Sequence, residues 1–306
     1  MNGFLLIDKP SASTSFDVVR SLRELFGVRR AGHCGTLDPL ATGLLVLALG
    51  KATKLAQFVA GQQKSYEVEA SLGRRSDTYD RDGVLSETLP TGHITAEMLT
   101  ESLQEFQGVI NQRPPAFSAL KRDGRPLYKY ARAGEAIEIP EREVTIHEIR
   151  LTVFESPLVK FAVTCSKGTY VRSLVHDLGE KLGCGAHVTE LRRTAIGKIS
   201  IAQALTIEEV LERVAAGRAD TCVVGIADML ELPELVVDPG KAAGVSQGVE
   251  IRANDIVNPG PAINADQLVA LRNGHGNLLA VARTLLGSAD FASRGDVKAI
   301  EYVRVM

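Results

Sequence analysis

Between Gly32 and Gly43 the chain reads Gly-His-Cys-Gly-Thr-Leu-Asp-Pro-Leu-Ala-Thr-Gly. Its glycines, proline and threonines show neither the helical period of 3.6 nor the alternation of a strand, so Val28 to Gly43 is predicted to be a loop. The flanks are apolar. Before it, Val18, Val19, Leu22, Leu25 and Phe26 keep three-to-four spacing behind a Thr14/Asp17 capping box, with Gly27 at the expected helix end. After it, LLVLALG is short enough for a buried strand, and a helix-like KATKLAQFVAG follows. A long polar loop fixed between buried elements is where a rigid scaffold places chemistry. Asp38 is the carboxylate in it. Taken alone, an Asp-Pro pair in a glycine-rich loop is a turn former whose carboxylate bonds nearby N–H groups, and His33 is a polar loop residue.

The rest of the chain alternates strand and helix signals. GFLLID reads as a short buried strand, and KSYEVEASL sets Tyr66, Val68, Ala70 and Leu72 against Glu67, Glu69 and Ser71, a strand with one buried face. GRRSDTYDRDG is a polar loop. Thr95 to Phe106 is predicted to be a helix with Met98, Leu99, Leu103 and Phe106 on one side, and a Pro-rich loop then leads to a short helix near Pro126. Strands are expected over Val144 to Val153 and Val159 to Cys165. After SKGT, Val171, Leu174, Val175, Leu178 and Leu182 mark the most regular amphipathic helix, and Thr206 with Glu209 caps another. The chain turns acidic and Leu-rich from about Asp220 to Asp238. With 306 residues to organise, this stretch is the expected boundary between two domains, 1–233 and 234–306. Beyond it, LVALRNGHGNLLAVA is a hairpin signal and AIEYVRV a further strand.

Composition excludes several classes. With 45% hydrophobic and 24% charged residues the chain is an ordinary globular one, neither disordered nor collagen-like. No apolar run approaches a membrane span, and MNGFLLIDKP lacks the basic start and cleavage site of a signal peptide, so a cytoplasmic location is expected. Cys34, Cys165, Cys184 and Cys222 stand far apart, without metal spacing, and read as reduced, packed thiols. Gly50-Lys51 follows a strand, but Gly43 lies too far upstream for a phosphate-binding loop and Ala52 replaces the Ser/Thr that would hold magnesium. The net charge of −2 gives no global attraction to nucleic acid, so any such partner needs a local basic face.

The segment Gly32–Gly43 resembles the catalytic motif of the TruB family of pseudouridine synthases, G-H-x-G-T-L-D-P-x-A-x-G-x-L. The likeness continues in the family's order. GFLLIDKP with Thr14-Ser15 is similar to the opening motif, KSYEVEASLG to the tyrosine-bearing strand and RPPAFSALKRDGRPLYKYAR to the mid-domain insert. SKGTYVRSL resembles the arginine motif and LRRTAIG the closing one. Two positions depart from the pattern. Ala12 stands where the family's usual glycine follows the D-K-P turn, and Cys34 where threonine is common. Neither removes a reactive group, but Ala12 bears on the loop's geometry.

The resemblance implies an α+β pseudouridine synthase fold with a mixed, mainly antiparallel sheet, followed by a small β-rich, PUA-like RNA-binding domain. It implies isomerisation of uridine to pseudouridine at position 55 in the T loop of tRNA: the N1–C1′ bond breaks, uracil turns, and C5 joins C1′, with no cofactor or metal called for. Asp38 is the ionised carboxylate, able to abstract a proton or to form a covalent adduct with sugar or base. Arg172 pairs with it and fixes its orientation; by its position after Val171 alone, Arg172 would face solvent. A uridine in folded RNA must leave its stack to reach a carboxylate. Tyr66 offers the flipped ring an aromatic surface, Tyr170 and Leu191 contact the nucleotide, and His33 occupies the space the base leaves. Lys9 and Pro10 shape the loop beneath.

The implied partner is tRNA, through its T arm and, by the C-terminal domain, its acceptor stem. No membrane or obligatory protein partner is expected. Without a coiled-coil heptad or a long apolar edge, the chain is expected to be a monomer. Phosphate contacts are expected from Lys160, Lys167, Arg172, Lys181, Arg192 and Arg193, with Arg29, Arg30, Arg74 and Arg75 flanking other motifs. Three rivals stand beside this reading. A guide-RNA-dependent relative would carry longer basic extensions and a fuller PUA domain, and an enzyme of ribosomal RNA would differ around the aspartate. A tRNA-binding folding helper is compatible with catalysis, and site variants separate the two.

Overall fold

The computed structural model describes residues 1–226, 229–258 and 262–306. Its first part runs β1 (Gly3–Lys9), α1 (Ser15–Leu25), β2 (Ala31–His33), β3 (Thr42–Leu49), α2 (Ala56–Ala60), β4 (Lys64–Leu72), α3 (Ala96–Gln104) and β5 (Gly108–Gln112). A small ribbon of β6 (Lys121–Arg122) and β7 (Arg125–Pro126) leads to α4 (Leu127–Arg132), β8 (Arg142–Glu155), β9 (Leu158–Cys165), α5 (Val171–Lys181), β10 (Ala186–Ile196), β11 (Ile199–Ser200), α6 (Ile207–Ala215) and β12 (Val223–Val224). Among the described residues these build one ten-stranded sheet in the order β12-β1-β3-β10-β4-β9-β8-β5, with β2 beside β3 and β11 beside β10. Its pairings are antiparallel except β3 against β10. The sheet is mixed and mainly antiparallel, as expected.

β1 and β3 read as continuous apolar runs because both their faces are covered. Leu5, Ile7, Leu45, Leu47 and Leu49 enter the core beneath α1 and α5, whereas Phe4, Leu6, Leu44, Val46 and Ala48 enter a second cluster on the other face. β4 alternates because one of its faces is more open, with Tyr66, Val68, Ala70 and Leu72 buried and Glu67 exposed. The capping boxes at Thr14/Asp17 and Thr206/Glu209 are both formed. On α3, Leu99 and Leu103 face the core, but Met98 is 39% exposed and lies outside the stripe assigned to it. Several strands went unread in the sequence, β2 and β10 beside the Asp38 loop among them. β2 is too short to show a period, and β10 hides its alternation because Arg193 occupies a core-facing position.

A second, five-stranded sheet has the order β14-β13-β15-β16-β17, from β13 (Glu234–Val237), β14 (Ile256–Asn258), β15 (Leu268–Arg272), β16 (Leu278–Thr284) and β17 (Ile300–Val305), with a short α7 (Pro239–Ala242) after β13. It has its own core around Leu235, Val237, Leu271, Ala280 and Ile300. Val281 instead joins the cluster of Phe4, Leu6 and Val46, and Lys54 Nζ donates to Val305 O at 3.0 Å, so the two parts are packed together. Among the described residues no helix is long and apolar enough to cross a membrane.

Candidate active site

The segment around Asp38 has little regular structure, yet it is tied down along its length. Cys34 N donates to Val46 O at 2.8 Å. From the start of α1, the buried Ser15 Oγ accepts from Leu37 N at 2.8 Å and donates to Leu37 O at 3.0 Å. Ala12 N donates to Pro39 O at 2.9 Å, and Ser11 Oγ donates to Leu40 O. Lys9 is fully buried at the end of β1, where its ammonium donates to the carbonyls of Pro10, Ser13 and Pro39. Burial brings its pKa down to about 8 against the pull of Asp38. From β10, Arg193 donates to the carbonyls of Leu44, Gly35 and Thr36. β3 and β10 run so close at Gly43 that a Cβ there would lie 2.3 Å from Arg193 O, and its φ of +96° is one that side chains avoid.

Asp38 is thereby presented with 31% of its side chain exposed, facing Arg172 at the first turn of α5. The Arg172 Nε lies 2.8 Å from Asp38 Oδ2, an ion-pair contact in which the N–H is not aimed along the line between the two atoms. Both terminal nitrogens are engaged: Nη1 with Asp80 Oδ2 at 3.1 Å and Thr78 O at 2.8 Å, Nη2 with Phe117 O at 3.0 Å. Arg172 is therefore buried, contrary to its reading as a solvent-facing helix residue, because one carboxylate on each side and two carbonyls replace its water. Asp80 is itself held by Thr78 Oγ1 at 2.6 Å and Asp82 N at 3.1 Å. Burial raises its pKa, although Thr78 and Arg172 act in the opposite direction. Nothing in GRRSDTYDRDG distinguishes Asp80 from its solvated neighbours, so sequence reasoning missed it.

A cavity of about 360 Å³ opens on these groups, lined among others by Asp38, Lys64, Tyr66, Tyr170, Arg172 and Leu191. It thus gathers five of the six residues singled out in the sequence. His33 is not among the lining residues; it ends β2, with Nδ1 buried and unpartnered, and burial together with nearby Arg193 lowers its pKa. Burial raises the pKa of the Tyr66 hydroxyl. Lys64 and Arg193 are charged residues in phase with the buried faces of β4 and β10. That mismatch is a sequence signal that could have marked both. The Lys64 ammonium donates to Ala60 O and Gln62 O at 2.8 and 2.6 Å, and burial brings its pKa down to about 8.

Two family models match the chain: the N-terminal domain of TruB family pseudouridylate synthases over residues 23–171, and the C-terminal domain of tRNA pseudouridylate synthase B over 172–232. The tRNA pseudouridine synthase B of Syntrophotalea carbinolica is 42% identical over 97% of this chain and 96% of its own length. The chain belongs to the TruB family. The protein of the same name from Aeromonas salmonicida is 50% identical over 68% of this chain and 65% of its own. Among solved structures, one of a Cbf5-Nop10-Gar1 complex matches 99% of this TruB-family chain and 84% of the compared chain, with a TM-score of 0.79 and 26% identity.

The cations of this TruB-family member are distributed differently from the sequence expectation. Arg172 and Arg193 are 4% and 1% exposed, and their charge is spent inside the protein. Lys160, Lys181, Arg192 and Arg75 are paired with Glu69, Glu105, Asp8 and Glu180, and Arg74 Nε donates to Ser86 O. Charge runs are mostly neutralised locally, as here. Lys167 is exposed beside the cavity-lining Gly168. Arg29 and Arg30 line a depression of about 410 Å³ with Lys51 and Lys54 and, among the described residues, no carboxylate.

Proposed function

We propose that this TruB-family chain isomerises uridine 55 in the T loop of tRNA, with Asp38 as the reacting carboxylate. The observation that carries the reading is the Asp38–Arg172 contact at the edge of a cavity that also presents Tyr66, Tyr170 and Leu191. The cavity falls within the usual size range for small-molecule sites. A uridine swung out of its stack places its base against Tyr66 and Leu191, with Tyr170 on the nucleotide, and His33 is the residue that takes up the space left in the RNA. Arg172 orients the Asp38 carboxylate. The N1–C1′ bond breaks, the base turns, C5–C1′ forms, and the proton of C5 is lost while N1 gains one, so the product is an isomer.

Residues 1–233 form the catalytic domain in this reading, and 234–306 a PUA-like domain that takes the acceptor stem while the first takes the T arm. The depression of Arg29, Arg30, Lys51 and Lys54, which adjoins the contact of Lys54 with Val305, supplies phosphate contacts between the two parts. The protein acts as a cytoplasmic monomer on tRNA. Mass-shift mapping of pseudouridine in unmodified tRNA transcripts after incubation with the protein tests the reading. One modified position in the T loop is expected, and conversion at another site or none contradicts it.

A further inference from the structure

β5 and β8 are paired so that Gln112 lies opposite Arg142, and both side chains reach Tyr170. The Gln112 amide closes on the backbone of Tyr170 from both sides: Nε2 donates to Tyr170 O at 3.0 Å and Oε1 accepts from Tyr170 N at 2.8 Å. The Arg142 guanidinium lies over the Tyr170 ring, 4.8 Å from its centroid. One face of the ring is therefore already occupied.

The stack satisfies the plane of the guanidinium but none of its edge. Arg142 Nε and Nη2 are buried and have no hydrogen-bond partner among the described residues. Buried guanidinium N–H groups without acceptors are costly and rare. They are shut off from solvent, whereas Nη1 is not fully buried and lies next to Gly168, which lines the cavity with Thr169 and Tyr170. At Gly168, which has φ +84°, an added Cβ would lie 3.8 Å from Arg142 Nη1, an ordinary contact distance that sets this nitrogen against the cavity wall. The substrate provides an acceptor of the right kind. A nucleotide delivered to Asp38 carries a phosphodiester on each side, and an arginine edge matches phosphate by charge and geometry.

We infer that Arg142 is a substrate-binding residue: its Nη1 takes a backbone phosphate next to the reacting uridine, while its face holds Tyr170 in place. This rests on the reading of the cavity as the seat of the flipped uridine. One anchor then fixes both the nucleotide's backbone and the aromatic ring beside it.

The test uses the full chain and T-arm stem-loop RNAs in which a single phosphate flanking the target uridine is replaced by a neutral methylphosphonate. Single-turnover conversion and binding are measured for the parent and for Arg142→Met. Conversion of the all-phosphate stem-loop by the parent checks the functional reading itself. If Arg142 holds a phosphate, one of the neutral linkages weakens the parent about tenfold to a hundredfold, the size of a hydrogen bond to a charged group. Arg142→Met shows that loss on the all-phosphate RNA and no further loss at that linkage. A parent indifferent to both linkages, or a variant as sensitive as the parent at each of them, overturns the inference. Should Arg142→Met lose its cooperative melt, the same comparison on Arg142→Lys decides, because lysine keeps the charge and loses the fork. A reduced linkage penalty supports the inference, and an unchanged one overturns it.

Discussion

Nη1 of Arg172 and Oδ2 of Asp80 form an ion pair at 3.1 Å with 4% and 6% of their side chains exposed, while Nε of the same arginine lies 2.8 Å from the far more open Asp38. The buried carboxylate fixes the guanidinium, and the fixed guanidinium sets the position of the exposed one. Charges this deep persist because each is paired and hydrogen-bonded, and removing a single partner of such a pair typically costs about 3–5 kcal/mol.

Arg172→Lys keeps the charge but cannot serve Asp38, Asp80, Thr78 O and Phe117 O together, since an ammonium lacks the planar fork. Its single-turnover rate on tRNA is expected to fall by about a hundredfold or more, the size of losing one or two charge-assisted hydrogen bonds at the reacting group. Binding, measured by filter retention, should change only a few-fold. A rate equal to the parent's at neutral pH would show that the fork is dispensable.

Ala12, at φ +63°, holds a left-handed conformation in which Cβ is strained, and it donates to Pro39 O beneath Asp38. Ala12→Gly should relieve that strain and, after the added freedom of the unfolded chain, raise stability by about 0.5–1 kcal/mol. Urea unfolding checks this; a lower midpoint at the same slope would mean that the alanine methyl packs usefully.

Much of the fold was legible because its signals are local. The periodicity of α5, the alternation of β4 and the caps at Thr14 and Thr206 depend only on neighbours in sequence. What escaped depends on distant partners. Asp80 looks like any loop aspartate until Arg172 is brought beside it, and Arg193 reads as surface charge until β3 and β4 close around it. The loop around Asp38 could be found from its composition and its resemblance. The resemblance also placed Lys9 beneath it, whereas the bonds that hold it from Ser15 and Arg193 could not be read.

Ser15→Ala removes both hydrogen bonds to Leu37 and leaves a buried N–H and carbonyl unmet. A loss of about 1–3 kcal/mol is expected. The single-turnover rate at saturating tRNA should also fall more than the affinity does, since the loop bearing Asp38 loses a tether. Equal falls in both would place Ser15 in general folding alone.

Asp177 on α5 is pushed up to about 6 by burial, with Glu141 and Glu180 adding to the shift and Arg113 opposing it. The folded chain then binds this proton more tightly than the unfolded chain, so stability falls as pH rises from about 4 to 6 and stays lowered above. Solvent screening at a partly open site reduces the effect to about 1 kcal/mol. Asp177→Asn should raise the melting temperature by about 2–4 °C at pH 7.5 and leave it unchanged near pH 4. A gain that is the same at both pH values would assign the effect to something other than ionisation.

The central claim is that the carboxylate of Asp38, held by Arg172, performs the isomerisation. Asp38→Asn is nearly isosteric and cannot ionise, so the most direct measurement is single-turnover tritium release from tRNA labelled at carbon 5 of uridine, made alongside tRNA binding. The account expects no release above background with binding within a few-fold of the parent, because phosphate and shape contacts supply most of the affinity. Release at a rate near the parent's would contradict it.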